Sequence, residues 1–179
     1  MKKRFASLLL ALCMLLPFAG CTSGDAGEAP ETDAVQIEAP AAADVVLIGE
    51  GAGAYSVVRG DNADKGETDA AVFLRKYLQG AGMETKVVTD WEKNPVSDYE
   101  LVVGDTTRIA ADGNLGFTLR DLGEDGWFVK ASGSRIYMAG GSPAATRLAV
   151  EHFLTEFFGY TGSEETGTPI TALSVPGDY

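Results

Sequence analysis

Cysteine is almost missing from this chain of 179 residues: there are two, Cys13 and Cys21. Beyond position 21 there is no thiol, which excludes a disulfide framework, a thiol nucleophile and a thiolate metal site in that region. Histidine is scarcer still, because His152 stands alone. A lone imidazole with no cysteine beside it cannot make up a typical zinc site, and no glycine-serine-glycine nucleophile elbow is present to use it as a base. Packing, or a place on a rim, is the simpler role for His152. Cations are also few, with 14 Lys and Arg against 26 Asp and Glu and a formal charge of −12. Such a surface repels phosphate backbones, so nucleic acid is not expected as a partner.

No apolar run is long enough to span a bilayer comfortably. The stretch from Phe5 to Phe18 falls short of the roughly 20 residues a spanning helix needs. It follows Lys2, Lys3 and Arg4 and is followed by Ala19, Gly20 and Cys21, the order of a signal peptide with a small-residue cleavage site. The arrangement resembles the lipobox of bacterial lipoproteins, with Phe18 where an aliphatic residue is usual. The resemblance implies cleavage before Cys21, a lipidated Cys21 and attachment to the bacterial cell envelope on its extracytoplasmic side, with the membrane as a partner through the lipid. An ordinary secretory signal or an uncleaved anchor are the competing readings. Loss of Lys2, Lys3 and Arg4 takes the formal charge from −12 to −15.

Residues 22–43 are Ala, Pro, Gly, Thr, Ser, Asp and Glu with little else, and such a segment buries too little to order itself. It reads as an acidic tether. Residues 44–179 then suit one domain with a core of its own, and no internal repeat is visible.

Within that domain the clearest element runs from Gly140 to Tyr160. Ser142 is placed as an N-cap and Pro143 at the first helical position, and Gly159 supplies the stop. Thr146, Ala149, Val150, Phe153, Leu154 and Phe157 recur at helical spacing and form a stripe built for burial. A second helix, Glu67 to Gln79, opens on the capping-box pair Asp64 and Glu67 and buries Ala70, Ala71, Leu74, Tyr77 and Leu78. Strands are expected at Val45 to Ile48, Tyr55 to Arg59, Thr85 to Asp90 and Tyr99 to Gly104. The continuous apolar run Leu101 to Val103 puts the last of these at the centre of its sheet. Gly126 to Ala131 and Arg135 to Ala139 form a hairpin around Ser132-Gly133-Ser134. Its alternation sets Trp127 and Val129 with Ile136 and Met138 in the core, and leaves Lys130, Arg135 and Tyr137 on the other face. Residues 116–123 read as irregular, and Ile170 to Val175 as an edge strand.

Chemistry is harder to find. The glycine-rich Gly49 to Gly53 follows a strand but opens no helix, so it is a turn and not a dinucleotide loop. Asp61, Asn62, Asp64 and Glu67 are oxygen-rich, yet their spacing is not that of a calcium loop and capping accounts for two of them. No metal site and no cofactor is expected. Asp98, Glu100, Asp105, Asp121, Glu124 and Asp125 read as a solvated acidic rim, with a catalytic carboxylate pair as the sharper alternative. Candidate ligand-binding residues are Asp105 and Thr106, which follow a strand end, Ser142 at a helix start, and Trp91, which could stack on a sugar.

Several stretches taken together resemble a known domain: Ala70, Ala71, Leu74, Tyr77 and Leu78; Val103-Gly104; Gly126 to Val129; Gly140 to Ser142; and Ala149, Val150, Phe153, Leu154 and Gly159. They are similar to the small α/β domain that precedes the catalytic barrel in family 20 β-N-acetylhexosaminidases and family 67 α-glucuronidases. Ala145 stands where glycine is common, and Tyr160-Thr161 replaces the frequent Arg-Trp. The resemblance implies an α/β (α+β) fold of two layers, a mixed sheet with two main helices on one face. It also implies a non-catalytic role attached to carbohydrate processing, for which binding a glycan or a cell-surface protein is the first hypothesis. The family's catalytic acids belong to the barrel, so none carries over. A glycoside hydrolase split from its barrel is the alternative.

Overall fold

A computed structural model describes residues 42–179; Cys21 and most of the tether lie outside them. The elements, in order, are β1 (Val45–Ile48), β2 (Ser56–Arg59), α1 (Lys65–Gly80), β3 (Lys86–Thr89), β4 (Glu100–Val103), α2 (Thr107–Ala111), a 3-10 turn (Leu119–Leu122), β5 (Trp127–Ser132), β6 (Arg135–Gly140), α3 (Pro143–Phe158) and β7 (Leu173–Val175). The fold is a mixed α/β domain.

Its main sheet has five strands in the order β3-β2-β4-β6-β5. β3, β2, β4 and β6 run parallel, and β5 returns antiparallel along β6, with Val129 opposite Met138 and Lys130 opposite Tyr137. The expected central strand is central: β4 lies between β2 and β6, and Leu101, Val102 and Val103 are fully buried. Burial on both faces is what a continuous apolar run in a parallel strand provides for.

Helices α1 and α3 pack on one face. Asp64 caps α1 by accepting the Glu67 amide at 2.9 Å, and Ala70, Ala71, Leu74, Tyr77 and Leu78 form its buried stripe. At α3, Ser142 accepts the Ala145 amide at 3.2 Å, Pro143 starts the helix and Gly159 ends it at φ +71°. Phe153 and Leu154 are fully buried as expected, but Phe158 is buried and Phe157 only half so. The last turn rotates the stripe, and the Phe157 ring finds Tyr179 instead, with centroids 4.9 Å apart. Thr146 is buried because its hydroxyl accepts the Gly140 amide at 3.1 Å, fastening α3 to the end of β6.

The other face is not open. Val102, Tyr137 and Ala139 meet Ile109 of α2 and Leu115, with Phe117, Leu119 and Phe128 around them. Tyr137, expected on a polar face, is therefore buried. The expected edge strand shortens to β7 and joins no edge of the main sheet. It pairs antiparallel with β1, Val45 opposite Val175, as a separate two-stranded sheet that packs into the main core.

Candidate functional site

In parallel α/β sheets ligands gather beyond the carboxyl ends of the strands, where the strand order reverses. Here that point lies between β2 and β4. All four residues singled out as ligand candidates stand at this edge: Trp91 after β3, Asp105 and Thr106 after β4, Ser142 after β6. They do not converge. β3 and β6 are three strand spacings apart, about 14 Å, so Trp91 and Ser142 cannot share a small ligand. The hydroxyls of Thr106 and Ser142 already accept the Ile109 and Ala145 amides as N-caps.

The crevice itself is filled by the protein's own carboxylates. Asp90, buried at the end of β3, accepts the Asp61 amide at 2.7 Å and the Thr107 amide at 2.6 Å, and so ties the loop after β2 to the start of α2. Burial alone would raise its pKa, but these two amides outweigh burial and hold it below the usual carboxylate range. Glu67 keeps a weak capping contact with the Asp64 amide and accepts the Asp105 amide at 2.9 Å. Gly60 closes what is left, since a Cβ there would stand 2.4 Å from the Asp105 carbonyl. An exposed Asp105 carboxylate is all that this edge offers to solvent from β4. Trp91 is exposed on the loop after β3, with the Lys93 ammonium 5.1 Å from its ring centre.

Glu100 was expected on the acidic rim and is instead buried beneath the loop of residues 91–98. Its carboxylate meets Arg108 Nε at 3.1 Å and Arg135 Nε at 3.2 Å. A carboxylate in the first position of a central strand has no water to reach, and the two guanidiniums replace the lost solvation.

Trp127 also departs from the expected placement. Alternation assigns it to the core, and its side does face α3, but it is 37 % exposed. It begins the outermost strand, where the sheet has passed the apolar stripe of α3 and meets that helix's polar flank. The Trp127 ring leans on His152, centroids 4.9 Å apart, and His152 Nε2 lies 2.9 Å from the Tyr179 hydroxyl. Leu148, 50 % exposed, Glu151, Thr155 and Gly162 complete a shallow depression of about 430 Å³ around the pair. Glu151 is held by Arg147 at 2.7 Å, and the Arg147 guanidinium carbon lies 3.6 Å from the Phe73 ring centre. An indole with one open face, backed by a hydrogen-bonded imidazole and edged by hydroxyl and carboxylate groups, can stack a flat apolar ring and hydrogen-bond its rim. No sequence signal joins Trp127 to His152, because alternation assigns the first to the core and nothing local relates it to a residue on the following helix.

Among the described residues no group of three or more His, Cys, Asp or Glu side chains is disposed to hold a metal ion, and no helix is long and apolar enough to cross a membrane. No protein-family model matches this chain, and no curated protein matches its sequence.

Proposed function

We propose that this is an extracytoplasmic lipoprotein, anchored in a bacterial envelope through Cys21, whose α/β domain binds a glycan without turning it over. The observation that carries the binding half is the exposed, backed indole of Trp127 in its polar-edged depression. The similarity to the domain that precedes glycosidase barrels supports carbohydrate as the ligand class. A binding role without turnover is supported by the buried carboxylates: Asp90, Glu100 and Glu67 are all engaged by backbone amides or arginines.

Glycan-array binding by the full-length chain and its variants tests this reading. Binding to at least one neutral glycan is expected. Trp127→Ala should weaken it by at least about tenfold, as loss of a central aromatic anchor does, whereas Trp91→Ala should leave it unchanged. Binding that survives Trp127→Ala would overturn the assignment.

A protein partner is the second reading. It is favoured by Leu148 at 50 % and Val72 at 44 % exposure on the outer sides of α3 and α1. Capture of an envelope protein that Leu148→Asp abolishes, with an empty glycan array, would select it.

A further inference from the structure

The sheet face opposite α1 and α3 carries another groove, of about 560 Å³, between α2, the turn at residues 112–114 and the β5–β6 hairpin. Its walls include Arg108, Arg135, Tyr137, Asp112, Asn114 and Ser132. Two arginines converge there on one carboxylate. Both Nε atoms bond Glu100 Oε2, while Oε1 takes the Ser97 amide at 3.1 Å and Arg108 Nη2 at 3.4 Å. Arg135 Nη2 donates to the Ser97 carbonyl at 2.8 Å. The carboxylate is saturated, and the Arg135 guanidinium also meets the Tyr137 hydroxyl, whereas Arg108 Nη1 has no hydrogen-bond partner among the described residues. Every fully buried side-chain nitrogen and oxygen there does have one. The Nη1 edge of Arg108 is therefore a part of that side chain that reaches water, and the Arg108 and Arg135 side chains are only 12 % and 28 % exposed.

Charge points the same way. Glu100 and Asp112 offset the two guanidiniums, which still stand side by side at one wall of the groove in a protein of formal charge −12. Lys130 adds another cation at the rim, its ammonium holding the Asn114 carbonyl at 2.9 Å. Across the groove stands Asp112. Burial would raise its pKa, but the Asn114 amide and the Tyr137 and Ser132 hydroxyls outweigh burial and keep it low. Burial, reinforced by that carboxylate, pushes the Tyr137 phenol up to about 12, so it remains a donor.

We infer that this groove binds a small hydroxylated carboxylate, its anionic end on the outer guanidinium edges of Arg108 and Arg135 and its hydroxyls on Asp112, Asn114 and Ser132. Planar guanidiniums match a carboxylate's two oxygens. Asp112 repels a second negative charge, which selects a monoanion with a neutral polar end over phosphate. The volume lies within the range of small-ligand sites and suits a single sugar-sized molecule. The site lies on the opposite face from Trp127 and is independent of the glycan reading.

Calorimetric titration of the full-length chain in detergent, with galacturonate, galactose and inorganic phosphate as probes, tests it. Galacturonate should bind, with galactose and phosphate each at least tenfold weaker. Arg108→Gln should lose at least tenfold in galacturonate affinity and Arg108→Lys less, with far-UV circular dichroism verifying the fold. Trp127→Ala should leave this binding unchanged. Asp112→Asn, which touches neither arginine, should gain several-fold in phosphate affinity, and this readout serves if Arg108→Gln fails to fold. Equal affinity for galactose and galacturonate, no binding of any probe, a folded Arg108→Gln with full affinity, or an Asp112→Asn chain that still rejects phosphate would overturn the inference.

Discussion

Two buried carboxylates at the edge of the sheet titrate in opposite directions, although both accept backbone amides. Asp90 receives two short amide bonds, and these hold its pKa below the ordinary range against burial. Glu67 receives one. Burial dominates there, the Asp64 and Asp105 carboxylates add to it, and the pKa rises. The signs of the stability effects follow from linkage. A carboxyl with a lowered folded-state pKa contributes stability above its unfolded value, about 3.9 for Asp, and loses it as pH falls through the folded value. A carboxyl with a raised pKa contributes below its unfolded value, about 4.3 for Glu, and loses that contribution as pH rises through the folded value. Glu67→Gln should therefore raise the urea midpoint at pH 7, and this gain should vanish below about pH 4. Asp90→Asn should lower the midpoint at pH 7, by less as the pH falls. Midpoints measured from pH 3 to 8 decide both. Only Glu67 could be singled out in the sequence, and only for its cap, because capping-box spacing says nothing about a loop 38 positions away.

The helix α3 and the end of β6 form the element on which the core is built. Gly140 is glycine for a steric reason: a Cβ there would stand 2.5 Å from the Ala145 Cβ and 2.6 Å from its backbone carbon. The first turn of α3 lies directly on the strand end, and Thr146 fixes it there through the Gly140 amide. Gly140→Ala must push the helix away or bend the strand, and should cost about 1–3 kcal/mol, the range of overpacked cores. Urea unfolding at neutral pH measures it. Ala145→Gly should give back part of that loss in the double variant, because it removes the atom nearest the clash. The helix itself was plain in the sequence, from Ser142-Pro143 to Gly159. The glycine pair before it reads as a turn. That Gly140 is also a contact surface depends on where the helix returns.

At the scale of the whole molecule, the domain presents Trp127 on one side of its sheet and the arginine pair on the other. Such a body can engage two ligands at once if it stands clear of a membrane. On the proposed lipoprotein reading, Cys21→Ala should move the chain from the membrane fraction to the soluble fraction and abolish labelling with radioactive palmitate, both checked by fractionation of the producing cells. Unchanged membrane association would reject the anchor.

Local patterning determined a good deal. Caps, stops and the 3.6-residue stripes placed α1 and α3, the apolar run of β4 declared a central strand, and the missing thiols closed whole classes of chemistry. These are properties of a residue and its near neighbours. The partner of β7, the burial of Glu100 and Tyr137, and the exposure of Trp127 were decided only by the tertiary structure. Each depends on what lies across the sheet: α2 and the loop after it cover a face that alternation leaves polar, and α3 turns its polar flank toward the strand on which Trp127 stands. Alternation tells which side a residue takes, and solvent or its absence on that side is set by elements far away in the chain.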